Sequence, residues 1–141
     1  MDFNMSVISK RQKAKPLNLK HALSKTKHLD NRTPTNSDHN DESSAYGFLS
    51  DFGNGGMYVA NYTGFSEWER HSHGDEMVQV IEGETSLVLL IDNEEVPNKI
   101  KAGELLIVPH GVWHRFESPK GVKVLTITPQ PTDHQIERPS D

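Results

Sequence analysis

Nine short runs rich in Val, Ile, Leu, Phe and Tyr follow one another between residues 46 and 129, each closed by glycine, proline or asparagine. They are YGFLSDF (46–52), MYVANY (57–62), SEWERH (66–71), MVQVIEG (77–83), TSLVLLI (85–91), VPNKIKA (96–102), ELLIVP (104–109), HRFES (114–118) and VKVLTITP (122–129). Breakers GNGG (53–56), DNEE (92–95) and SPKG (118–121) stand between them, and no long helical period or internal repeat interrupts the series. Many short strands at near-regular spacing predict an all-β sandwich or barrel.

At 141 residues and 33% hydrophobic content the chain suits one domain with a real core. Its longest apolar runs, LVLLI (87–91) and LLIV (105–108), fall far short of a membrane-spanning helix, so no membrane partner is expected. There is no cysteine, which removes disulfides, thiolate zinc sites and cysteine nucleophiles, so any metal must be held by nitrogen and oxygen. The start MDFNMSVISKRQ carries no signal-peptide core, and a cytoplasmic location is the expectation.

Charge divides the chain. Residues 1–32 hold 8 of the 15 Lys+Arg and only 2 of the 20 Asp+Glu, so a basic tail precedes an acidic body. Aromatic residues are not interleaved with KRQKAK (10–15), and no nucleic-acid partner is expected. The string PLNLKHALSKTKHL (16–29) follows a proline suited to a first helical turn and predicts a short helix, whereas NRTPTNSDHNDESSA (31–45) reads as a linker. The expected division is a poorly ordered extension and linker over 1–45, a β-barrel over 46–130 and a polar C-terminal surface extension over 131–141.

Chemistry concentrates in ERHSHGDE (69–76). Residues i and i+2 of a strand face the same way, so His71 and His73 can point together into a barrel while Arg70 and Ser72 face out. Gly74 and Asp75 can turn the chain so that Glu76 starts the next strand at the same end. PHGVWH (109–114) then sets a Pro/Gly turn before His114, a fourth contributor. Three imidazoles and a carboxylate suit Fe(II), Mn(II), Ni(II), Co(II) or Zn(II), with positions left for water or substrate.

These residues resemble the cupin superfamily, whose two motifs are written G(x)5HxH(x)3-4E(x)6G and G(x)5PxG(x)2H(x)3N. Gly103, Pro109, Gly111 and His114 stand at the spacing of the second, with Ser118 in place of its final Asn. The first is matched from Glu76 to Gly83, but only two residues separate His73 from Glu76, and Gly64 lies one residue too far upstream. WERHSHGDE is also similar to a subgroup of small bacterial cupins reading WERH, two variable residues, then GDE. The resemblance spans roughly residues 45–130. It implies a single-domain double-stranded β-helix, or jelly-roll barrel, with a flexible N-terminal extension, and His71, His73, Glu76 and His114 as metal ligands. It also implies a homodimer.

Competing readings exist for several residues. Glu76 could be a structural carboxylate paired with Arg70 or Arg115. Asp75 reads as a turn residue, His110 as an exposed one, and Trp68 and Trp113 as packing residues. His21, His28, His39 and His134 read as solvated. By strand parity Val78 and Val80 share the face of Glu76, and Phe116 that of His114; with Tyr58 and Tyr62 they are the candidate pocket lining. An apolar lining of this kind suits a small organic ligand or substrate.

Two functions from different classes are open on this reading. One is a metal-dependent enzyme of isomerase, lyase or oxygenase type, with no catalytic residue named beyond the ligands. The other is a non-catalytic small-molecule-binding or sensory module in which metal is absent or structural.

Overall fold

Alternating apolar residues, extended over unusually long segments, produce the two strands that organise this molecule. A computed structural model describes residues 14–36 and 44–141 of the chain. Its elements are α1 (Leu19–Ser24), β1 (Leu29–Arg32), β2 (Tyr46–Phe52), β3 (Gly55–Phe65), β4 (Trp68–His71), β5 (Glu76–Ile91), β6 (Glu94–Lys101), β7 (Leu105–Val108), β8 (His114–Pro129) and β9 (Thr132–Gln135). β5 and β8, each of 16 residues, pair antiparallel from Met77↔Ile127 to Leu89↔His114. Along the other edge of β5 lie β7, on Glu76–Gln79, and β6, on Glu84–Ile91, while β8 also pairs with β3 and β4, and β9 completes the sheet beyond β4. The strands form one sheet that wraps an interior: an all-β jelly-roll barrel, as the strand pattern predicts.

The sequence runs 77–83 and 85–91 are one strand, as are 114–118 and 122–129. The glycines between them do not make turns. They sit at irregularities where the β5–β8 register shifts, between Val80 and Glu82 and between Gly83 and Ser86. Gly83 has φ +78, and a Cβ there would lie 2.3 Å from the carbonyl oxygen of Gly121, so only glycine lets the two strands approach. The shift changes which side chains face inward on β5: Val78 and Val80 before it, Leu87 and Leu89 after it. These pack with Tyr62, Ile100, Val108, Phe116, Val122 and Val124 as the main core. A second cluster of Trp68, Val88, Leu90 and Trp113 packs apart from it, which accounts for both tryptophans as packing residues.

The chain before residue 46 contributes more than a poorly ordered extension would. Asn18 caps α1 by accepting from the His21 backbone N–H at 2.8 Å, and Leu23 packs with Val59 and Leu125. β1 lies parallel to β3, with Arg32 opposite Gly64. At Gly64, φ is +128 and a Cβ would stand 2.2 Å from the Arg32 carbonyl oxygen, so the close approach of β1 depends on glycine. His28 is exposed, as expected, and bonds Asn61 Oδ1 at 2.6 Å and Thr63 Oγ1 at 2.8 Å, pinning the segment to β3. Residues 1–13 and 37–43, with His39 and most of KRQKAK, lie outside the described residues. Among those described, no helix is long and apolar enough to cross a membrane.

Candidate metal centre

Three strand ends converge at one mouth of the barrel. β4 carries Glu69 and His71, which share a face by strand parity, β5 opens with Glu76, and β8 opens with His114, opposite Glu69 in the ladder. The connection leading into His114 is held against β4 by a bond from Gly111 N–H to the His71 carbonyl at 2.7 Å. It is also held to the bend at 72–75, where Asp75 Oδ1 accepts from His110 N–H at 2.9 Å. Asp75 is thus the turn residue expected, and His110 is exposed.

All four side chains are buried. His114 is 0% exposed, His71 and Glu76 3% each and Glu69 5%. Glu76 Oε1 lies 3.0 Å from His114 Nε2 and 3.2 Å from His71 Nε2, and its other oxygen accepts from the Thr128 hydroxyl at 2.7 Å. One ligand atom from each of Glu69, His71 and His114 also falls within 4.8 Å of the other two. Glu76 therefore pairs with the histidines; Arg70 instead binds Asp133, and Arg115 binds Glu95 and Glu117.

Tautomers sharpen the picture. His114 Nδ1 is 2.9 Å from the Val112 carbonyl, which can only accept, so Nδ1 carries a proton. In the neutral ring Nε2 would then present a lone pair to a carboxylate oxygen, two acceptors 3.0 Å apart. Either a second proton or a cation must stand between them. Burial would by itself lower the His114 pKa, but the hydrogen bond and charge of Glu76 outweigh it and the pKa is raised. For Glu76, burial alone would raise the pKa, yet His114 and His71 hold it well below the usual carboxylate range. His71 Nδ1 meets the Thr132 hydroxyl at 3.0 Å, while its buried Nε2 makes no aligned hydrogen bond among the described residues.

These residues fit a divalent transition metal. A cation would satisfy both the His71 Nε2 atom, which makes no aligned hydrogen bond among the described residues, and the facing acceptors of His114 and Glu76. An ion with bonds of about 2.1 Å has adjacent octahedral ligand atoms about 3.0 Å apart, close to the 3.0 and 3.2 Å that separate Glu76 Oε1 from His114 and His71 Nε2. The Thr132 and Val112 contacts supply the outer partners that metal-ligating imidazoles ordinarily have.

His73 is not brought into this group. It is exposed on the bend, where its carbonyl accepts from Asn54 Nδ2 at 3.1 Å. With only two residues before Glu76, β4 ends at His71 and the alternation on which His73 depended ends with it. Glu69 takes part instead. The same parity that paired His71 with His73 also pairs it with Glu69, a signal present in WERH but read in one direction only.

A cavity of about 340 Å³ adjoins the group, and Glu69, His71 and Glu76 form part of its wall. Tyr58, Tyr62 and Phe116 line it, while Val78 and Val80 do not: both are 0% exposed in the main core. Their parity is right, but along the face they share with Glu76 the cavity gives way to the core. Thr126, Thr128, Thr132 and Arg32 line it too. Thr132 belongs to β9 in the expected C-terminal surface extension, whose other residues include His134, exposed as expected and 2.7 Å from Glu67.

Comparison with known proteins agrees with this architecture. The family described as "Cupin domain" matches residues 58–128. An uncharacterised protein of Bacillus subtilis (strain 168), YdbB, is 38% identical over 61 residues, 43% of this chain and 50% of that protein. The chain thus matches about half the length of this curated relative. Among solved structures, protein NMB1881 from Neisseria meningitidis aligns with TM-score 0.59 at 17% identity, over 86% of this chain and 100% of its own. A cupin-2 domain containing protein from Shewanella frigidimarina NCIMB 400 aligns with TM-score 0.55 at 16% identity, over 90% and 100%. At such identities these two structures speak to the fold.

Proposed function

This chain belongs to the cupin domain family, and on that premise we propose that it binds a divalent transition metal through His71, His114, Glu76 and Glu69 and receives a small organic molecule in the adjoining cavity. The observation that carries the proposal is the position of Glu76 Oε1, 3.0 and 3.2 Å from two buried imidazole nitrogens, one of which has no other partner among the described residues. A bound ion would supply Lewis acidity able to polarise a carbonyl or orient an enediol. The chain's own residues do the rest. Thr128 and Val112 orient Glu76 and His114, and Thr132 orients His71. Phe116, Val124 and Tyr62 wall the cavity and limit water around a ligand. Its volume of about 340 Å³ is at the small end of ligand sites and suits a compact molecule better than a polymer.

Elemental analysis of untagged protein prepared without chelator, beside His71→Ala and His114→Ala, tests the proposal. Near-stoichiometric metal in the wild type, lost in both variants, is the expected result. Failure of the folded wild type to retain or take up any of Mn, Fe, Co, Ni or Zn would contradict it.

A further inference from the structure

Aromatic side chains gather on the cavity. All three tyrosines of the chain, Tyr46, Tyr58 and Tyr62, line it together with Phe48 and Phe116. Pairing of β2 with β3 brings four of these rings to one face: Phe48 lies opposite Tyr58, Tyr46 lies opposite Ala60, and Tyr62 stands two residues further along β3. Phe116 enters from β8, its ring centroid 6.5 Å from that of Tyr62 and 6.5 Å from that of His114. Rings therefore lead from Phe48, which is 46% exposed at the rim, to an imidazole of the candidate metal centre.

These rings are not equally available to a ligand. The Arg32 guanidinium carbon stands 4.4 Å from the centre of Tyr62 and 5.4 Å from that of Tyr46, so those two rings are engaged within the protein. Tyr62 and Phe116 also belong to the main core, whereas among the described residues the packed clusters include neither Phe48 nor Tyr58. Phe48 and Tyr58 meet edge-to-face, centroids 5.7 Å apart at 65°, and their shared face continues to Ala60, whose methyl group leaves space above it. Same-face neighbours on a strand are about 6.7 Å apart, so a ring resting on Ala60 lies about that far from Tyr58, inside the ~4.5–7 Å range of aromatic pairs. Val124, opposite Ala60 on β8, gives that ring an apolar side wall.

We infer that the cavity selects a small aromatic molecule, its ring held above Ala60 by Phe48 and Tyr58. This deepens the proposed function and rests on the cavity described there; the ring contacts themselves do not involve the metal. A saturated ring of equal size fills similar volume but is thicker and has no quadrupole to meet the edges and faces of Phe48 and Tyr58.

The test uses the full chain, its metal content first measured by elemental analysis, in the metal-loaded form that the wild type takes up. Calorimetric titration compares benzyl alcohol with cyclohexylmethanol, and phenethyl alcohol with cyclohexylethanol. In each pair the hydroxyl sits on a saturated carbon, so any bond from its oxygen to a metal is matched and the ring alone differs. At least one aromatic alcohol is expected to bind about five-fold or more tightly than its saturated counterpart, the scale of one or two ring contacts. Phe48→Leu and Tyr58→Leu should each keep their metal and lose most of that preference, while Tyr58→Phe should keep it. Should one leucine variant fail to fold, the wild-type comparison and the other variant decide. Equal binding of both members of each pair overturns the aromatic inference and leaves a small-molecule cavity standing; no binding of any of the four overturns the inference as well. A preference that survives in both folded leucine variants overturns the role of Phe48 and Tyr58. Failure of the wild type to load any of Mn, Fe, Co, Ni and Zn contradicts the metal-binding proposal instead, and the same titration on the metal-free chain then decides the inference by itself.

Discussion

His114 and Glu76 meet at 3.0 Å, Nε2 to Oε1, while the opposite nitrogen of the same ring is committed to the carbonyl of Val112. This contact can exist in two chemically distinct states, a protonated imidazole beside a carboxylate or two ligands beside a cation. On the metal-binding proposal, proton and metal compete for one position, and the consequences are measurable.

Metal affinity should rise with pH through the raised pKa of His114, because the proton on Nε2 must leave before the nitrogen can coordinate. Calorimetry in buffers of different ionisation enthalpy should register proton release below that pKa and none well above it. Affinity independent of pH across the histidine range would contradict competition at His114.

In the metal-free protein the same pair sets a stability window. Glu76, with its depressed pKa, contributes stability above the ordinary carboxylate value of 4.5 that is lost as pH falls through the folded value. His114, with its raised pKa, contributes stability below the ordinary histidine value of 6.5 that is lost as pH rises through the folded value. Urea denaturation with chelator present should give greatest stability between about pH 4.5 and 6.5, declining on both sides. A profile flat through neutral pH would count against the pair.

Glu69 and His73 exchange the importance that the motif alone assigns them. Glu69→Gln should weaken metal binding by about ten-fold or more, whereas His73→Ala, on an exposed bend, should leave it within about two-fold. Equilibrium metal titration separates the cases, and the reverse order would restore the motif's own ligand set.

Thr132→Val removes the hydroxyl beside His71 Nδ1 without changing side-chain volume much. Loss of such an outer partner costs metal sites about ten-fold in affinity or more. The variant should melt close to the wild type when both are metal-free, so that an affinity loss reports orientation of the imidazole rather than unfolding.

Val78→Ala should behave as a core substitution. Val78 is 0% exposed, and its truncation should lower unfolding free energy by about 2 kcal/mol with metal stoichiometry unchanged. A change in ligand binding without a loss of stability would return Val78 to the cavity wall.

What could be read from the sequence follows physical locality. Strand runs were legible because side chains alternate over neighbours, and His71, Glu76 and His114 because their spacing is set by one bend and one turn. Gly83 and Gly121 misled because a glycine that turns a chain and one that lets two strands touch look alike in sequence. His73 failed to join because its parity held only if β4 continued past His71. Thr132 and Arg32 reach the site from opposite ends of the chain through pairing with β4 and β3, and no local pattern announces such partners.

The most direct measurement is anomalous diffraction at the absorption edge of the metal found in the purified protein. A single strong peak is expected about 2.0–2.3 Å from His71 Nε2, His114 Nε2 and Glu76 Oε1, with a Glu69 oxygen as a further ligand. A metal-soaked crystal with no peak there, and with His114 still bonded to Glu76, would contradict the assignment of this cluster as a metal centre.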